Sequence, residues 1–132
     1  MTTSRSVSET IAFGAQLAAS LRPGDVLALT GDLGAGKTCL VKGLAQGLGV
    51  TQDVTSPTYT LIHEYGPLVH VDLYRLDSVE QAIAIGIEEY LSSDRITVIE
   101  WAEKIESLLP PNTTRIRLNF VDENTRNLER LS

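Results

Sequence analysis

The sequence predicts an α/β fold, a phosphate-loop-type three-layer sandwich built on a mixed β-sheet. Three observations carry that expectation. The stretch "GDLGAGKT" (31–38) lies between the apolar run "VLALT" and the helix-like "CLVKGLAQGLG". A second apolar run, "ITVIE" (96–100), ends in a carboxylate as a buried strand would. Between and after these runs, strand-like and helix-like segments alternate, which is the pattern of a layered α/β domain.

Taken in order, Ser6 and Glu9 have capping-box spacing and open a helix whose apolar positions are Ile11, Phe13, Leu17 and Leu21. Pro23-Gly24-Asp25 is a turn signal. Residues 26–30 read as a buried strand and 37–49 as a helix closed by Gly49. "TYTLIHEY" (58–65) and "LVHVD" (68–72) flank Gly66-Pro67 and read as a hairpin. Ser78 caps a helix running to Leu91, with Gly86 as its break. Residues 102–109 form a short helix stopped by Pro110-Pro111. "TRIRLNF" (114–120) alternates as a strand does, and the tail "NLERLS" is placed to pair with it.

At 132 residues the expectation is one domain covering 1–132. Apolar runs are far too short to span a bilayer, and "MTTSRSVSET" lacks the apolar centre of a secretory signal. Cys39 is the only cysteine, so no internal disulfide can form. These features predict a cytoplasmic protein. The formal net charge of −6 and only three lysines argue against independent binding of nucleic acid, which favours a basic face.

Gly31, Gly36, Lys37 and Thr38 fit the phosphate-loop spacing G-x-x-x-x-G-K-[ST], with a strand before and a helix after. Glycines let backbone N–H groups turn toward a phosphate, and the helix that follows points its positive end at it. Lys37 adds a charge toward the outer phosphates, and Thr38 places a hydroxyl for Mg²⁺. No N-K-x-D guanine signature is present, so ATP is favoured over GTP. The metal needs a second anchor at the end of a buried strand, and Asp72 and Glu100 both qualify. His63 and His70 read as packed strand histidines, Trp101 as a core aromatic, and Cys39 as a small residue on the loop helix.

"GDLGAGKT", "SPTYTL" (56–61), "HVDLYRL" (70–76) and "IEWAEK" (99–104), in this order and at these intervals, resemble the TsaE (YjeE) family. That family is the ATPase of bacterial tRNA threonylcarbamoyladenosine (t6A) biosynthesis, and the resemblance runs over nearly the whole chain. It implies an ATP-binding, ATP-hydrolysing subunit with low intrinsic activity, stimulated by its partners. Those partners are TsaB and TsaD, with tRNA met only through the complex and the modification made next to the anticodon. It implies Mg²⁺ held by Thr38 and Glu100, with Asp72 close to the metal and Lys37, Asp72 and Glu100 in catalysis. ATP contacts are implied for Gly31, Asp32, Leu33, Gly34, Ala35, Gly36, Lys37, Thr38 and Cys39, and for Thr10 and Arg126 at the two ends of the chain. Ser56-Pro57-Thr58 corresponds to a nucleotide-sensing switch.

Two other functions use the same loop. A small-molecule kinase would need an acceptor pocket and usually an arginine-bearing lid, whereas Arg75, Arg95, Arg115 and Arg117, which follow the loop, are dispersed and form no cluster. A nucleotide-dependent switch with negligible turnover would bind ATP without hydrolysing it.

Overall fold

In a computed structural model, the structure describes residues 2–31, 36–52, 54 and 61–131. Seven strands form one sheet in the order β1-β7-β6-β2-β5-β4-β3. They are β1 (Thr2–Ser4), β2 (Val26–Gly31), β3 (Ile62–Tyr65), β4 (Leu68–Asp72), β5 (Ile96–Glu100), β6 (Thr114–Phe120) and β7 (Arg126–Arg130). The centre is parallel: β2 pairs with β5 and β6, and β4 with β5. Both margins are antiparallel, through β3–β4 on one side and β6–β7–β1 on the other. The sheet is therefore mixed, as expected.

Helices α1 (Val7–Ala18) and α2 (Lys37–Gly47) cover one face. Their Leu17, Leu40 and Leu44 pack on Leu27, Leu29, Leu68, Val98, Ile116 and Leu118. The other face, with Val26, Ala28, Val69, Val71 and Ile99, is covered by α3 (Val79–Ala84), α4 (Ile87–Leu91) and a 3-10 helix (Ala102–Leu108). Strand residues alternate between these two clusters, as period-two side chains must when both faces are buried.

The capping signals act where expected. The Ser6 hydroxyl accepts from the Glu9 N–H at 3.1 Å, and the Ser78 hydroxyl from the Gln81 N–H at 3.3 Å. Gly86 has φ +87° and divides the expected 78–91 helix into α3 and α4. The segment after β5 departs from the sequence expectation. It is a 3-10 helix entered through a left-handed Trp101 (φ 62°) and kinked at Ile105, not a regular α-helix. Leu109 is extended ahead of Pro110, as a residue preceding proline tends to be. The tail pairs with β6, starting at Arg126. β1 lies beside it as an edge strand that the sequence reading did not anticipate. The expected strand residues Tyr59 and Thr60, with Ser56-Pro57-Thr58, lie outside the described residues.

Candidate functional site

β2 is flanked on both sides by parallel strands, and the chain leaves its C-terminal end to enter the glycine loop. In open α/β sheets, the crevice beyond the carboxyl ends of the strands is where ligands bind. The register gathers three such ends. Leu29 is opposite Glu100, and Glu100 is opposite Asp72. By strand alternation, Asp72 shares a face with Leu68 and Glu100 with Val98, so both carboxylates lie on the side of α1 and α2.

Asp32, Leu33, Gly34 and Ala35 lie outside the described residues, but both ends of the loop are described. Gly31 has φ +131°, and a Cβ on it would stand 1.9 Å from the Leu118 carbonyl oxygen. Only glycine fits there, because the neighbouring strand fills the space. Gly36 is the N-cap of α2 at φ 91° and carries no side-chain capping bond. The first N–H groups of α2 are thus uncapped by any side chain, where the helix carries partial positive charge.

Lys37, the first residue of α2, is only 5% exposed. Its ammonium donates to the Gly31 carbonyl at a long 3.4 Å and sits 4.2 Å from the centre of the Trp101 ring. None of the ion pairs among the described residues includes it. Burying an ammonium without an ion-pair partner is costly, and a long hydrogen bond, an indole face and the more distant Asp72 carboxylate offset only part of that. Trp101 is the only non-glycine with positive φ among the described residues, a conformation that costs about 1–3 kcal/mol. It is half-buried, packs on the second core cluster and lies 5.4 Å from the half-exposed Tyr74 ring. Its surroundings are therefore core on one side and Lys37 on the other.

Burial pushes the Asp72 carboxyl above its usual range. The Tyr74 N–H, donating to Oδ1 at 3.0 Å, opposes the rise; nearby Glu100 adds to it, and His70 and Lys37 also oppose it. Glu100 is 4% exposed, and its Oε2 lies 2.5 Å from Nε2 of the fully buried His70. His70 Nδ1 has no hydrogen-bond partner among the described residues, at a cost of about 1–3 kcal/mol. His70 is indeed a packed strand residue, but it also holds Glu100, a pairing the sequence reading missed. The visible signal was the near-coincident strand ends of "HVD" and "VIE"; the register that joins them is not written in either segment.

The chain termini meet at the start of α2. Thr10, Gly36, Cys39 and Arg126 line a small cleft of about 60 Å³, together with Ser6 and Asn124. A Cβ on Gly36 would lie 3.9 Å from Arg126 Nε and 4.0 Å from Thr10 Cγ2. Cys39 is half-buried against this cleft, more open than a core residue would be. Arg126 donates to the Asp122 and Thr125 carbonyls, and its guanidinium lies 4.6 Å from the centre of the Phe120 ring. Thr10 is buried and hydrogen-bonded to Ser4 at 2.7 Å, which ties α1 to β1.

The family model for "Threonylcarbamoyl adenosine biosynthesis protein TsaE" matches residues 4–128. This chain belongs to the TsaE family. A Bacillus subtilis tRNA threonylcarbamoyladenosine biosynthesis protein TsaE is 42% identical over 124 residues, covering 91% of this chain and 77% of that one. The TsaE protein of Treponema pallidum is 42% identical over 128 residues, covering 95% of each. A crystal structure of YdiB from Bacillus subtilis superposes with a TM-score of 0.81 at 37% identity, covering 96% of this chain and 80% of that one. The fold is thus that of TsaE proteins, an α/β architecture of the phosphate-loop type.

The residues fit a magnesium nucleotide. A helix start with no side-chain cap, a buried lysine with no ion-pair partner among the described residues and a threonine at the next position stand near the ends of strands carrying two carboxylates. Among the described residues no cluster of three His, Cys, Asp or Glu forms a ready metal cage.

Proposed function

We propose that this TsaE-family protein binds Mg·ATP at the start of α2 and hydrolyses it as the ATPase subunit of t6A biosynthesis. It acts with TsaB and TsaD, in the cytoplasm, as a single domain. The observation that carries the reading is Lys37: a buried ammonium that forms no ion pair among the described residues, beside a helix N-terminus with no side-chain cap. Such a pair of positive groups favours an anion with several charges.

The residues divide the work. The N–H groups of α2 and Lys37 take the phosphates, with Gly31 to Cys39 as the contacting stretch and Thr10 and Arg126 bordering it. Thr38 and Glu100 would hold Mg²⁺. The chemistry a magnesium ion supplies there is neutralisation of charge on the outer phosphates. Asp72 lies one strand from Glu100, and its raised pKa makes it the better proton acceptor of an ordinary aspartate's kind. In that place Asp72 would orient the water that attacks the γ-phosphorus, accept its proton and so release ADP and phosphate. No helix among the described residues is long and apolar enough to cross a membrane. The net charge of −6 suits a subunit that leaves tRNA to its partners.

Lys37→Ala tests the phosphate site. The variant should fold, because the lost group is the head of a long side chain and not a core apolar group. Its far-ultraviolet circular dichroism should match the wild type while ATP affinity falls by at least tenfold in a binding titration. Wild-type ATP affinity in a folded Lys37→Ala protein sinks the reading.

A further inference from the structure

We propose that His70 is a positioning residue for Glu100: it fixes one carboxylate oxygen so that the other is held ready for a cation at the nucleotide site. This rests on the ATPase reading above and goes beyond it, by assigning the second group that makes Glu100 a competent ligand.

The pair is built into adjoining parallel strands. His70 is opposite Val98 on β5, so Glu100, two residues further along the same face, is its diagonal neighbour. The Nε2–Oε2 separation is 2.5 Å, the imidazole is fully buried, and the carboxylate side chain is 6% exposed. Nε2 is the nitrogen turned to the carboxylate, and Nδ1 is the one left unpartnered.

That unpartnered nitrogen is the informative detail. A histidine kept only for structure normally satisfies both ring nitrogens. Here one nitrogen serves Glu100 and the other serves no described group. Replacing a buried polar pair by apolar residues of similar volume is often neutral or stabilising. Stability alone therefore gives little reason for a histidine at 70. Function gives one, because ligating carboxylates need a hydrogen-bonded partner to hold their orientation. Lys37 lies at the same end of the sheet and Asp72 repels Glu100, so a freely rotating Glu100 would have a competing cation to turn toward.

Two variants separate the hydrogen bond from packing. His70→Leu keeps volume and removes the donor; His70→Gln keeps a donor near the position of Nε2. ATP affinity is measured by calorimetry over a Mg²⁺ titration and again with a chelator, and folding is followed by thermal unfolding. His70→Leu should weaken the apparent Mg²⁺ affinity by about 10–100-fold while leaving metal-free ATP affinity unchanged. His70→Gln should recover most of the loss. An unchanged Mg²⁺ dependence in His70→Leu overturns the proposal. So does an equal loss of ATP affinity with and without metal, which would mark general damage, or an equal Mg²⁺ defect in both variants. Should His70→Leu not fold, His70→Asn, polar but too short to reach, takes its place against His70→Gln with the same criteria. A wild-type protein whose ATP binding ignores Mg²⁺ altogether defeats the site reading itself, and this inference with it.

Discussion

Asp72 shows how a single residue can be set against stability. Burial raises its pKa above the usual 3.8, so the folded state holds its proton more tightly than the unfolded chain does. As pH rises from 3.8 through the raised value, the unfolded state loses the proton first, and stability falls across that window. Above it the penalty is fully present; below 3.8 it is absent. Asp72→Asn removes the charge and keeps an oxygen to accept from the Tyr74 N–H. The variant should therefore melt at a higher temperature than the wild type at neutral pH, with the gap closing in acid, while ATP turnover falls by at least about tenfold. Thermal unfolding over the acid-to-neutral range, paired with a phosphate-release assay, checks both halves. A lower melting temperature at neutral pH contradicts the account.

The same scale shows what was legible. Gly36, Lys37 and Thr38 were singled out because the phosphate-loop pattern is a local spacing. The placement of Thr10 and Arg126 against Gly36 came only from family resemblance, since α1 and β7 meet across the whole length of the chain. The His70–Glu100 pair was not legible at all. Each residue looked like an ordinary strand position, and the parallel register of β4 on β5 is a property of neither sequence.

Among the elements, α1 and α2 are joined more closely than their apolar pattern suggests. A Cβ on Gly43 would stand 2.0 Å from the Ile11 carbonyl oxygen, and one on Gly14 would stand 2.4 Å from the Leu40 carbonyl oxygen. The backbones touch, so α1 sets the position of the helix that starts with Lys37. Alanine normally favours a helix over glycine by about 1 kcal/mol. Here the clash is with backbone, and overpacking typically costs about 1–3 kcal/mol, so the clash wins. Gly43→Ala should lower the denaturant midpoint and weaken ATP binding as α2 shifts. A stabilised Gly43→Ala protein would show that the helices can part without cost. Capping residues and glycine breaks made α1, α2, α3 and α4 readable. β1 was not, because three polar residues on an edge carry no periodicity. The 3-10 form of residues 102–108 was hidden too. It follows from the left-handed Trp101 and the kink at Ile105, which apolar spacing does not encode.

At the scale of the whole molecule, the strand order explains why the site has the parts it has. β2 delivers the glycine loop, and its neighbour β5 and next neighbour β4 deliver Glu100 and Asp72 to the same end of the sheet. The apolar strands and the helices between them were enough to anticipate a mixed α/β sheet. They could not order seven strands, because edge pairing by β1 and β7 joins the two ends of the sequence. On the proposed reading, Lys37 is the cation aimed at the phosphates among the described residues; Arg126 is engaged with the Asp122 and Thr125 carbonyls. Charge developing during the proposed phosphoryl transfer would then be thinly compensated by the described residues alone, and supplementary positive groups commonly raise such rates by orders of magnitude.

The most direct test is steady-state phosphate release from Mg·ATP by the protein alone and with the TsaB–TsaD heterodimer, with Lys37→Ala as control. The account predicts slow release by the isolated chain, release at least about tenfold faster in the complex, and neither with Lys37→Ala. Equal rates with and without the heterodimer, or turnover that survives Lys37→Ala, would contradict it.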